Sequence, residues 1–222
     1  MPPKAPIEEL LAVMAKLRSP EGCPWDREQN HQTLKFHAVE EVYELMDAIE
    51  AGDDHEMEEE LGDLLLQVVF HCQLARERSA FDFNAVCRRI VNKLIHRHPH
   101  VFGENKLKTA DAVLAQWEQL KRAEKRGTRH ERPSALDGIP AHLPALLQAH
   151  TLVKKARRAR LLPPDAARTE KQSKAVIAAQ LFDLAQLCQK KGWNAEALLR
   201  GETKKRGRAL RRREQQAAHR VS

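Results

Sequence analysis

Two carboxylate pairs constrain the fold of this chain more than any other feature. Glu40-Glu41-Val42-Tyr43-Glu44 and Glu60-Leu61-Gly62-Asp63 each carry acids three residues apart, in stretches with helical periodicity. Residues i and i+3 share one face of a helix. Glu41 and Glu44 therefore project from one side of one helix, and Glu60 and Asp63 from one side of the next. Antiparallel packing of these helices would make four carboxylates converge. Their mutual repulsion requires a cation, and hard divalent ions that prefer oxygen, Mg2+ above all with Mn2+ as a substitute, fit that demand. Such a cage suits hydrolysis of phosphate esters and anhydrides.

The surrounding pattern is all-α. Ile7, Leu10, Leu11, Met14 and Leu17 follow the spacing of an amphipathic helix, and Ser19 to Asp26, with two prolines and a glycine, reads as a loop. A second helix is expected over 33–51, with Val42, Leu45, Met46 and Ile49 as its apolar stripe and Gly52 as its C-terminal cap. Asp53 caps a third helix over 54–78, with Glu56 three residues on. That helix is apolar around much of its girth from Leu61 to Leu74, which predicts burial on more than one side and a subunit interface. A fourth helix begins near Asp82, presents Phe83, Val86, Cys87, Ile90, Val91 and Leu94, and stops at Pro99 before a turn at Val101-Phe102-Gly103. A fifth spans 109–125. Gly127 to Pro144 is a Pro- and Gly-punctuated linker, and three poorer helical segments follow, near 145–161, 170–191 and 194–214.

Charge divides the chain differently from periodicity. Residues 1–149 hold 19 Lys+Arg against 25 Asp+Glu, whereas residues 150–222 hold 19 against 6. The sequence therefore reads as three parts: a catalytic helical domain over 1–108, a helix plus linker over 109–149, and a basic helical region over 150–222. The Arg206 to Arg213 stretch of that region is a candidate contact for nucleic acid. No apolar run reaches the length of a membrane span, and the N-terminus lacks a signal-peptide pattern, so a soluble cytoplasmic protein is expected. Cys23, Cys72, Cys87 and Cys188 have no paired spacing and read as reduced thiols, three of them buried.

A phosphate-handling site also needs cations. Arg89, Lys93 and Arg97 recur every four residues on the fourth helix, where Lys93 can act as a point charge and Arg97 can grip two oxygens. Glu58 and Glu59 are taken as solvated. His96, His98 and His100 are read as capping and packing groups, and Trp25 and Trp117 as core in preference to stacking platforms for bases.

These blocks in this order resemble the MazG nucleoside triphosphate pyrophosphohydrolases. The resemblance rests on Cys23-Pro24-Trp25-Asp26, Glu40-Glu41-x-x-Glu44 and Glu60-Leu61-Gly62-Asp63-Leu64-Leu65. It extends through Lys93-x-x-x-Arg97-His98-Pro99-His100-Val101-Phe102-Gly103, with Trp117-Glu118-x-x-Lys121 and Ser134 to Pro140 fitting two-domain members. The resemblance implies an all-α, usually dimeric and Mg2+-dependent enzyme that converts nucleoside triphosphates to monophosphate and pyrophosphate, as house-cleaning of the nucleotide pool. It implies Glu41, Glu44, Glu60 and Asp63 as metal ligands with Glu40 close by, and Lys93 and Arg97 at phosphate-contacting positions; Arg89 joins them by helix spacing alone, and a glutamate not fully used as a ligand, Glu40 or Glu44, is the expected proton acceptor. Two-domain members repeat both acidic motifs. Here the second repeat reads Gln180-Leu181-Phe182-Asp183, leaving Asp183 alone, so the basic region is similar to a decayed second domain. The alternative class is a regulatory protein that binds nucleic acid through that region.

Overall fold

Helix signals in the sequence are realised with local caps that account for most boundaries. In the computed structural model, residues 5–103, 107, 109–129, 131–162 and 173–219 are described. The first helix, α1 (Pro6–Leu17), begins with proline at its first position, where a missing N–H costs nothing. The expected loop after it contains a short helix, α2 (Pro24–Glu28), again opened by a proline. Helix α3 (His37–Ala51) starts four residues later than its periodicity indicates, because 31–36 form turns that drop Leu34 into the core. Gly52 ends α3 with φ +68°, a left-handed conformation that glycine adopts without strain. Asp53 then accepts hydrogen bonds from the backbone N–H of His55 and Glu56 and starts α4 (Asp54–Glu77).

Asp82 caps α5 (Phe83–Arg97) by accepting from Ala85 N–H. Pro99 ends α5 and also opens a further turn, α6 (Pro99–Phe102), where the sequence indicated only a reverse turn. His98 joins the two, its Nδ1 lying 2.7 Å from the Leu94 carbonyl. Four helices follow: α7 (Ala110–Ala123), α8 (Ala145–Arg158), α9 (Lys174–Lys190) and α10 (Ala195–His219). The described residues form helices, turns and irregular segments without a strand.

The chain forms two compact units, Met1–Trp117 and Glu118–Ser222, with the division inside α7. In the first, α3 and α4 form an antiparallel hairpin and α1 crosses α4. Met14, Leu34, Val69, Phe70 and Leu74 are the buried core, with Leu10, Leu66 and Phe83 packed around it. Arg18 fastens this arrangement. Its guanidinium donates to both oxygens of Glu77 at 2.6 and 2.7 Å, reaches the Asp26 and Gln29 carbonyls and lies over the Phe70 ring.

In the second unit, Leu136, Leu152, Ala156 and Leu210 form a smaller core between α8, α10 and the irregular 131–144 strap. The strap is held by side chains of α10. Glu214 accepts from Ser134 Oγ and from Ala135 N–H at 2.8 Å. Glu196 takes the first free N–H of α8, at Ala145, substituting for the cap that Pro144 cannot provide.

Three side-chain expectations are corrected by this packing. Trp25 sits on a surface turn and is 54% exposed, so it is not core. Only Cys72 of the four cysteines is buried, the others being half-buried. Most of the α3 stripe does not face its own unit: Val42, Met46 and Ile49 are exposed and Leu45 is half-buried, while the small Ala48 is the buried residue of α3.

Candidate metal site between two helices

The two-residue connection between α3 and α4 fixes the register of the hairpin, and the register brings both acidic pairs together. Glu41, Glu60 and Asp63 each offer a carboxylate oxygen, and these oxygens lie within 4.8 Å of one another. Glu44, one turn along α3, is hydrogen-bonded to Glu41 and feels Glu40 and Asp63. Glu40 is exposed, with an oxygen 3.6 Å from His37 Nδ1. A second group, His55, Glu56 and Glu59, is fully on the surface at the start of α4.

The electrostatics are those of a cluster short of positive charge. Loss of hydration raises the Glu44 carboxyl above its usual range, and Glu41, Glu40 and Asp63 raise it further. Loss of hydration likewise raises Glu60, followed by the charges of Glu44, Asp63, Glu41 and Glu59. Glu60 Oε2 is buried and lacks a hydrogen-bond partner. A buried carboxylate oxygen left unpaired is costly. An all-oxygen donor set with one orphaned oxygen fits a hard divalent cation.

Periodicity missed Gln67, one of the few buried polar residues. Its Nε2 donates to Glu41 Oε1 at 3.2 Å, while its own Oε1 is buried without a donor. One signal was available: Gln67 lies four residues after Asp63 and seven after Glu60, hence on the acidic face. One turn further, His71 stacks on His31 with Nδ1 atoms 2.8 Å apart. Burial lowers the His71 pKa, and the neighbouring His31 lowers it further. No sequence spacing marks that pair, because His31 arrives from a turn segment.

The expected cations are split by the structure. Arg97 is buried with its guanidinium 5.2 Å from the Trp117 ring centroid, whereas Arg89 and Lys93 are exposed on α5. His98 and His100 rings lie 5.5 Å apart and tilted. Neither acidic triple among the described residues falls in the second unit, where Asp183 lies exposed on α9.

The fold and this site define an all-α protein whose helical hairpin carries a carboxylate cluster able to hold a metal ion. Residues 29–102 match the family model of the MazG nucleotide pyrophosphohydrolase domain. It is 47% identical over 150 residues to the nucleoside triphosphate pyrophosphohydrolase of Escherichia coli K12, covering 67% of this chain and 56% of the relative. The nucleoside triphosphate pyrophosphohydrolase/pyrophosphatase MazG of Thermotoga maritima is also 47% identical over 150 residues, covering 68% of this chain and 56% of the relative. The chain thus spans little more than half the length of these relatives. A mazG-related protein from Thermotoga maritima, known from its crystal structure, aligns with TM-score 0.44 and 28% identity over 51% of this chain and 97% of that one. Among the described residues, no helix is long and apolar enough to cross a membrane.

Proposed function

We propose that this protein hydrolyses nucleoside triphosphates to nucleoside monophosphate and pyrophosphate with Mg2+, at the α3–α4 hairpin. The observation that carries this reading is the approach of Glu41, Glu60 and Asp63 oxygens to within 4.8 Å, beside the orphaned Glu60 Oε2. The names of its relatives support the substrate and reaction. Glu41, Glu44, Glu60 and Asp63 would hold the metal. Bound there, Mg2+ or its substitute Mn2+ would neutralise phosphate oxygens and make an attacking water more acidic. Glu40, exposed beside the cluster, or Glu44 would take the proton of that water. Lys93 and Arg89, exposed on α5, would supply positive charge to a triphosphate. Arg97, whose guanidinium lies over the Trp117 ring, would stabilise the departing pyrophosphate.

The same reading includes a homodimer, because Val42, Met46 and Ile49 of α3 and Leu61, Leu65 and Val68 of α4 stand exposed around the acidic cluster. Nucleic-acid contact by the basic second unit is a separate proposal, supported by exposed Lys204, Arg208, Arg212 and Arg213 on α10. The test of the main reading is pyrophosphate release from nucleoside triphosphate and Mg2+. We expect Glu41→Gln and Asp63→Asn to lower turnover by about two orders of magnitude or more. Parental turnover in both variants would overturn it.

A further inference from the structure

We propose that the second unit contains a separate binding site for a short phosphate chain, in two adjoining cavities bounded by α7, the strap and α8. This site goes beyond the hydrolytic reading and does not rest on it. The larger cavity measures about 510 Å3, within the span of about 300–1,000 Å3 usual for small-molecule pockets. A second cavity of about 220 Å3 opens beside it, and both are bordered by Glu118, Lys121, Ala135 and Lys155.

Cations line both cavities and dominate the smaller one. Arg126 and Arg132 line the larger cavity, Lys154 and Arg158 the smaller, and Lys121 and Lys155 border both. Acids are present too, but three of them are committed elsewhere. Glu131 accepts from Gly127 N–H, and Asp137 accepts from Ser134 N–H and from Arg211. Glu214 is occupied by Ser134 Oγ and Ala135 N–H. These hydrogen bonds hold the strap while the carboxylates keep their charge, so the excess of positive charge lies at the smaller cavity, where Lys121, Lys154, Lys155 and Arg158 stand against Glu118 alone. Positive charge gathered in a concave surface concentrates the field on a bound anion.

Arg132 is pre-placed. Its guanidinium lies directly over Gly138, which has φ +83° and no side chain, and a Cβ there would collide with Nη1. A planar fork held in this way suits two oxygens of one phosphate group. No aromatic side chain lines either cavity among the described residues. A platform for stacking bases is therefore missing, and recognition falls on phosphate. The volume of about 510 Å3 suits one small ligand better than a polynucleotide strand, which needs a groove that tracks its backbone.

The test uses the full chain in EDTA, so that the acidic hairpin cannot recruit metal-bound phosphate. Calorimetric titration with inorganic tripolyphosphate should show binding that weakens as salt rises. The double variants Arg126→Ala/Arg132→Ala and Lys154→Ala/Arg158→Ala should each weaken it about tenfold or more, while Glu41→Gln leaves it unchanged. Arg132→Lys keeps the charge, removes the fork and should also weaken it, which guards against a misfolded double variant. Adenosine triphosphate in a parallel titration separates the sources: equal affinity means the free phosphate chain, tighter binding means a nucleotide. Absence of binding, or equal binding by parent and variants, would overturn the proposal. So would a single-stranded oligonucleotide that binds more tightly than tripolyphosphate and is lost in the same variants.

Discussion

At the scale of single residues, Gln67 decides how Glu41 is presented. Its amide donates to one oxygen of Glu41, the α3 acid that meets Glu60 and Asp63. Supporting groups of this kind typically contribute about 10–100-fold in metal affinity. Gln67→Ala should therefore raise the Mg2+ concentration for half-maximal pyrophosphate release about tenfold, with a smaller change at saturating Mg2+. Glu60 gives a prediction of opposite sign for stability and metal response. Glu44 and Glu60 titrate above the ordinary carboxyl value of 4.5, first because they lose hydration and then because acids surround them. Their stabilising contribution is complete below that value and is lost as pH rises through the raised folded values. At pH 7 without metal the cluster is a burden. Glu60→Gln should melt higher than the parent in EDTA, yet lose most of the rise in melting temperature that Mg2+ gives the parent. Thermal scans of both proteins in EDTA and in Mg2+, at pH 4 and pH 7, read both effects.

At the scale of elements, the first unit depends on Arg18 as much as on apolar contact. One guanidinium joins the end of α1 to the end of α4 and to the carbonyls around α2. Hydrogen bonding from Arg18 is the main cause that lowers the Glu77 carboxyl, and Gln73 lowers it further. This contribution has the reverse pH dependence: it is present above 4.5 and lost as pH falls through the lowered folded value. Glu77 is partly exposed, so the pair is screened by solvent. Glu77→Gln should cost about 1 kcal/mol at neutral pH and low salt. The difference from the parent should shrink in acid and in high salt when measured by denaturant unfolding. Helix order and several caps were legible in the chain, since Gly52, Asp53 and Asp82 act within a few residues of where they stand. The α2 turn and the late start of α3 were not, because Leu34 is drawn into contact with Met14 and Phe70 across the sequence.

At the scale of the whole molecule, the exposed apolar faces of α3 and α4 are the largest unresolved demand of the first unit. Met46 and Val68 are 47% and 38% exposed. Met46→Glu should move the protein from about twice its 25.3 kDa chain mass to a single chain in light scattering, with loss of pyrophosphate release in parallel. A parental protein that runs as one chain would remove the dimer. The sequence by itself determined the helices and the four acids of the cluster, because period and spacing are local properties and i, i+3 neighbours share a face whatever lies beyond. Their resemblance to MazG proteins was equally legible, being carried by short blocks in order. Tertiary structure alone decided which acids meet within reach of one ion and that Gln67 braces them. It also decided that Arg97 is turned onto Trp117, and that a cavity rich in lysine and arginine opens beside the strap. Each of these depends on the register and approach of segments far apart in the chain, which periodicity does not encode.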